Sequence, residues 1–225
     1  MKSVGGWVHT RAMRTLLDLI LAATCAGCGA VGVGWCADCA ATLARPMRVR
    51  PRTDPGVPCW ALASYAGPAR RAVLAAKEHG RRDMAEPVGL ALADALARLR
   101  DAERPLVLIP APSRRGAARR RGGDPVVRAA SAAVRWLPDS GVVPMLRVWW
   151  GVRDSVGLTV DERQHNLHGR IVARPGTGTG SAISANAEVV LVDDVLTTGA
   201  TARESVRALN RIGVPVRAVL VTCSA

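Results

Sequence analysis

The sequence predicts an α/β fold: an open parallel sheet flanked by helices, with a small cysteine-rich module in front of it. Three observations carry this expectation. Short continuous apolar runs at 106–109 and 189–192 have the length and bulk of strands buried on both faces. Segments with apolar residues at helical spacing alternate with them, at 68–77, 84–99, 126–136 and 200–212. Strand–helix–strand order of this kind builds a parallel sheet through right-handed crossovers. Ahead of the alternation, four of the six cysteines crowd between Cys25 and Cys39.

Taken in order, residues 1–15 lack a clear period and contain Gly5-Gly6, which reads as a loose end. Leu16, Leu17, Ile20 and Leu21 mark a short amphipathic helix. The apolar run 16–24 ends at a cysteine, as lipoprotein signals do. Asp18 interrupts it, Thr24 is a poor residue before a cleavage-site cysteine, and the run is too short to span a bilayer. A cytoplasmic protein with no membrane span is therefore expected. Pro46, Pro51, Pro55 and Pro58 make 46–58 a linker, which divides the chain into 16–45, 46–58 and 59–225.

Beyond the linker, Ala69, Ala72, Val73 and Ala76 share one side of the first helix, and Leu92, Leu96 and Leu99 one side of the second. Pro110 stops the strand at 106–109, and Val142 to Trp149 reads as another strand. Residues 151–187 are poorly periodic, with a Gly/Thr-rich stretch at 176–180 that reads as a surface loop. Gly213 stands where a helix C-cap belongs. Val214 to Val221, broken by Pro215 and Arg217, closes the chain as a strand. No internal repeat is present.

The chain has 225 residues, 49% of them apolar, with no Phe and one Tyr, so its core must come from Ala, Val and Leu. A formal charge of +13 favours anionic partners such as phosphates, nucleotides or nucleic acid. Arg114, Arg115, Arg119, Arg120 and Arg121 form the densest basic cluster.

The most informative run is Val189 to Thr201. A buried strand leads into Asp193-Asp194, then Val195-Leu196-Thr197-Thr198-Gly199-Ala200-Thr201 turns directly into a helix. Ligands of open α/β sheets gather at the carboxyl ends of strands. Small residues there let backbone N–H groups converge, and the helix N-terminus adds unpaired donors and partial positive charge, which suits a phosphate. Paired carboxylates accept hydrogen bonds from vicinal sugar hydroxyls. Acid pair and phosphate loop on one turn point to a sugar phosphate.

A second loop, Ile109-Pro110-Ala111-Pro112-Ser113-Arg114-Arg115, also follows a buried strand. Its guanidinium groups match phosphate oxygens and suit a pyrophosphate leaving group. Gly116, Gly122 and Gly123 would let the segment move as a lid. No residue stands out as a general base; His165 and His168 lie in a polar stretch. Upstream, Cys25-x-x-Cys28 and Cys36-x-x-Cys39 are two knuckles whose four thiolates satisfy a tetrahedral Zn²⁺ completely, making a structural site. Cys59 and Cys223 read as packing residues.

At Val189 to Thr201 the chain resembles the type I phosphoribosyltransferases. With the cysteine module and Pro-rich joint, the chain from about residue 16 onward resembles the ComF family. Tyr65-Ala66-Gly67-Pro68 with Lys77 and Gly80, Pro110-Ala111-Pro112 with Arg121-Gly122, and Leu158, Arg163 and Asn166 are similar to further family stretches. Gly123-Asp124 depart from the Phe-Asn usual in the family, and Asp154 and Ser155 stand where a Gln is usual.

The resemblance implies a type I phosphoribosyltransferase-like sheet that binds phosphoribosyl pyrophosphate, or another ribose phosphate, with Mg²⁺. It implies that Asp193 and Asp194 contact the ribose hydroxyls while Val195 to Thr201 wrap the 5′-phosphate. It also implies transfer of phosphoribose to an acceptor, a glycosyltransferase activity, and a link to DNA uptake in competence. Arg114 and Arg115 with the acid pair are the expected catalytic groups, and Pro112, Ser113 and Lys77 join the binding set. The competing expectation is a non-catalytic module that senses the ligand in the same pocket and docks single-stranded DNA or a protein partner through its arginines and zinc module.

Overall fold

The computed structural model describes residues 23–113, 123–149, 169–174 and 183–225. Its centre is a six-stranded sheet built from β1 (Met47–Val49), β2 (Cys59–Ser64), β3 (Leu106–Pro110), β4 (Ser140–Val142), β7 (Glu188–Leu196) and β8 (Ala218–Ser224). The spatial order is β1-β2-β8-β7-β3-β4; only β1 runs antiparallel to its neighbour. Two short strands, β5 (Leu146–Val148) and β6 (Ile171–Ala173), form a separate antiparallel pair.

Alternation along the central strands explains the layers. Val190 and Val192 of β7 face one apolar cluster while Val189 and Leu191 face the other. A short helix, α1 (Ala37–Ala41), carries Cys39 of the cysteine module; the first cluster is closed by α2 (Gly67–Lys77), α3 (Ala85–Leu99) and α4 (Pro125–Ala133), through residues such as Ala72, Leu92 and Ala130. The second is closed by α5 (Ala200–Asn210), through Ala202, Val206 and Leu209. The core is rich in Ala, Val and Leu, as a chain without Phe requires. Cys59 and Cys223 are buried in it, their thiols raised by burial to about 11 and about 12.

Several expected boundaries move, for physical reasons. The strand at 189–192 runs on to Leu196, because Asp193, Val195 and Leu196 pair with Val221, Cys223 and Ser224 of β8. The expected strand at 142–149 is two pieces split around Pro144, one in the main sheet and one in the β5–β6 pair. The helix expected over 126–136 is α-helical to Ala133 and tightens into a 3₁₀ turn to Trp136. The last strand begins at Ala218, beyond Pro215 and Arg217. Strand β2 had no counterpart among the expected elements; its Ala-containing run lacks the bulky signature of the other buried strands.

Residues 46–58 hold β1, then cross the sheet face beside α5. Val49 and Val57 pack on the α5-side cluster, and the Thr53 N–H donates to the Thr198 carbonyl at 2.8 Å. Asp124, one of the departures from the family pattern, caps α4 by accepting from the Val126 N–H at 2.9 Å, with Pro125 at the first helical position. No helix among the described residues is long and apolar enough to cross a membrane.

Candidate functional site

Strands β3 and β7 are neighbours, yet their connections leave in opposite directions. From β3 the chain passes through α4 on one face to β4; from β7 it passes through α5 on the other face to β8. The carboxyl ends of β3 and β7 therefore flank a topological switch point, where helices diverge and leave a crevice. Asp193 and Asp194 stand at one side of it. Ala111 begins the other, its N–H donating to the Val192 carbonyl at 2.8 Å, so Pro112 and Ser113 follow directly beside the acid pair.

The two carboxylates occupy unlike surroundings. Asp194 pairs with Lys77 Nζ at 2.9 Å, so the last residue of α2 reaches the end of β7. Asp193 Oδ1 accepts from the Asp194 N–H at 2.8 Å. Burial, and then the neighbouring Asp194 charge, push the Asp193 carboxyl up to about 8. The Asp193 carboxyl thus favours its protonated form more than an ordinary carboxyl does. A small cleft of about 30 Å³ is lined by both aspartates, by Arg81 and Arg128, and by apolar side chains of α2, α3 and α4 such as Val73 and Val88. Its apolar walls supply much of the desolvation felt by Asp193.

After Leu196 the chain turns through Thr197, Thr198 and Gly199 into α5. Gly199 is the N-cap residue with φ +88°, and the Thr198 hydroxyl accepts from the Ala200 N–H at 3.3 Å. A side chain at 199 has no room: a Cβ there would overlap the Thr53 carbonyl oxygen and lie 2.7 Å from Pro51 Cβ. Residues 51–53 thus press on the outside of the turn, a support that sequence reasoning missed. Nothing local in the Pro-rich stretch signals a contact so distant along the chain.

The four module cysteines converge. Their sulfurs all lie within 4.8 Å of one another, and Cys28 Sγ and Cys36 Sγ are 3.7 Å apart. Gly27 permits the crowding, since a Cβ at that position would fall 2.5 Å from Cys39 Sγ. Burial works to raise the Cys25 thiol, but backbone N–H donors of Cys28, Cys36 and Gly27 outweigh it and bring it down to about 6. Burial, with the neighbouring sulfurs, raises Cys39 instead. Such a cluster could hold a metal ion.

The module sits against the main domain. Arg71 Nε donates to the Gly27 carbonyl, and Arg81 donates to the carbonyls of Thr24 and Gly34 at 3.1 and 3.3 Å. Leu43 is buried in the α2–α4 cluster, and Trp35 packs on it. Arg81, which no motif singled out, links the cysteine module to the cleft beside the acid pair.

The chain matches no protein-family model and no curated protein. The site must therefore be read from its own chemistry.

Of the sequence-predicted residues, Lys77, Pro112, Ser113, Asp193, Asp194 and Val195 to Thr201 come together at the carboxyl edge of the sheet. Cys25, Cys28, Cys36 and Cys39 form the separate cluster. Arg114, Arg115, Arg119 to Arg121, Leu158, Arg163, His165, Asn166 and His168 lie outside the described residues, as do the helix at 16–21 and the loop at 176–180.

Proposed function

We propose that the crevice between β3 and β7 binds phosphoribosyl pyrophosphate and that the protein is a phosphoribosyltransferase of the type I kind, in keeping with the ComF resemblance. The observation that carries the reading is the order of groups along one stretch: Asp193 and Asp194 in the C-terminal part of β7, then Val195 and Leu196, then Thr197, Thr198 and Gly199 leading into the N-terminus of α5. The acid pair suits the vicinal ribose hydroxyls. Asp194 accepts a hydrogen bond, and burial favours the protonated form of Asp193, which is able to donate one. The turn offers backbone N–H groups and Thr hydroxyls to the 5′-phosphate, aided by the helix dipole.

The chemistry is displacement at the anomeric carbon. The acceptor's electron pair forms the new bond as the bond to pyrophosphate oxygen breaks, and that electron pair leaves with pyrophosphate. Magnesium carried in with the substrate would supply neutralising charge for the departing oxygens. The chain's part is positional and electrostatic: the turn fixes the phosphate, the acid pair fixes the ring, and Lys77 orients Asp194. Arg114 and Arg115 are the residues proposed to meet the pyrophosphate.

The cysteine cluster is proposed to hold Zn²⁺. Tetrahedral Zn–S bonds of about 2.3 Å place sulfurs roughly 3.8 Å apart, close to the Cys28–Cys36 separation. Four thiolates leave no open position, so the ion is structural.

Calorimetric titration of phosphoribosyl pyrophosphate with Mg²⁺ tests the ligand. The wild type should bind, and Asp193→Asn/Asp194→Asn should lose at least tenfold in affinity; unchanged binding defeats the assignment. Pyrophosphate release across a panel of nucleobases tests transfer, and binding without release on any acceptor would leave a sensing module.

A further inference from the structure

The amino end of the sheet, opposite the acid pair, carries a second pocket. Arg48, Trp60 and Leu220 are register partners across β1, β2 and β8, so all three stand on the sheet face that α3 covers. Glu188 and Val190 of β7 alternate onto the same face. Between this rank and Leu96 and Leu99, near the end of α3, lies a pocket of about 140 Å³. Its body is apolar, formed by Trp60, Leu96, Leu99, Val190 and Leu220. Its charged groups are three arginines, Arg48, Arg100 and Arg217, and a single acid, Glu188.

These four charges are not equivalent. Glu188 is buried, and its carboxylate is already met by Arg217 Nε at 2.8 Å and by the Asp101 N–H at 2.8 Å. Arg100 is committed to the backbone, donating to the carbonyls of Pro138 at 2.8 Å and Arg104 at 3.0 Å. Arg217 meets Glu188 through Nε, at one edge of its guanidinium, and the Nη nitrogens are left to a ligand. Arg48 is exposed at the rim, and among the described residues no acid pairs with it. An apolar pocket therefore opens between two guanidinium groups, with net positive charge at its mouth.

We propose that this pocket binds a small aromatic monocarboxylate, with its ring against Trp60 and the leucines and its carboxylate between Arg48 and Arg217. Size sets the body of the ligand: a cavity of about 150 Å³ accepts one benzene ring, so a single ring fits and a long acyl chain does not. Trp60 favours a ring over a branched aliphatic group, since aromatic pairs gain beyond the area they bury. Charge sets the head, because planar guanidinium forks match a carboxylate. An inorganic anion would leave the apolar body of the pocket unused. Glu188 starts β7 and Asp193 lies near its other end, so a strand rise of about 3.3 Å per residue puts roughly 16 Å between them. The pocket shares no residue with the acid pair or Lys77, and the proposal does not depend on the phosphoribosyl reading.

The test follows the fluorine NMR signal of 4-fluorobenzoate titrated with the full chain. The wild type should broaden and shift the line saturably. Arg48→Gln, an exposed change that leaves the Glu188–Arg217 pair intact, should weaken binding at least tenfold. Ala218→Leu, which extends a lining side chain into the pocket, should do the same at an unchanged melting temperature. Arg147→Gln removes one exposed charge from the β5–β6 pair and should leave affinity within twofold. The neutral 4-fluorobenzamide should bind at least tenfold more weakly than the acid. Absence of saturable binding to the wild type would overturn the proposal, as would equal losses in Arg48→Gln and Arg147→Gln. Displacement of the probe by inorganic phosphate at equal concentration would reduce the site to a general anion patch. Competitive displacement by phosphoribosyl pyrophosphate would place the probe at the acid pair instead, and either result defeats the assignment.

Discussion

Asp193 and Asp194 are adjacent in sequence, yet their environments differ. Asp194 has Lys77 at 2.9 Å, whereas Asp193 meets apolar walls and its neighbour's charge. An acid whose folded pKa lies above its unfolded value binds more protons when folded. Stability therefore falls as pH rises through the interval between the two, here from about 4, the ordinary carboxylate value, to about 8. Replacing Asp193 by Asn removes that penalty. In the ligand-free protein, Asp193→Asn should raise the melting temperature by roughly 2–4 °C at pH 8, with a gain that shrinks toward zero near pH 4. Thermal melts across that range check this, and a gain that grows toward low pH would show that burial does not disfavour the Asp193 charge.

The turn between β7 and α5 is made as much by the Pro-rich segment as by its own residues. Gly199 holds φ +88° with the Thr53 carbonyl and Pro51 against it. An alanine there meets both a left-handed backbone and a steric overlap. Gly199→Ala should cost about 2–4 kcal/mol of stability, read from urea unfolding, unless residues 51–53 lift away. Lifting would break the Thr53–Thr198 hydrogen bond and expose the Thr53 amide to hydrogen exchange, so the two outcomes are distinguishable. This contact was not legible in advance. The prolines at 46, 51, 55 and 58 signalled irregular backbone, and they gave no sign of which surface that backbone would cover.

Across the whole molecule, the cysteine module and the main domain are joined at α2 and the turn that follows it. Arg71 and Arg81 reach module carbonyls, and Leu43 and Trp35 enter the α2–α4 cluster. So small a module has little core of its own, and a bound ion would supply much of its folding free energy. Purified protein should carry about one zinc per chain by elemental analysis, and Cys28→Ser/Cys36→Ser should carry none. Stripping the ion with a chelator should lower the melting temperature and change tryptophan fluorescence through Trp35, whose ring lies beside Gly27. The removal should reach the acid pair as well, because Arg81 contacts both the module and the cleft.

Local chemistry by itself determined the alternation of strands and helices, the two cysteine knuckles and the run from Asp193 to Thr201. Each of these is encoded by spacing within a few residues, by period, by apolar bulk, or by polar groups placed at a strand end. Only the tertiary structure decided what those pieces meet. The order β1-β2-β8-β7-β3-β4 places β3 beside β7, although much of the chain lies between them. The same packing brings Lys77 to Asp194, and Pro51 and Thr53 to Gly199. Such contacts are set by which apolar faces bury one another, and no short window of sequence records that choice.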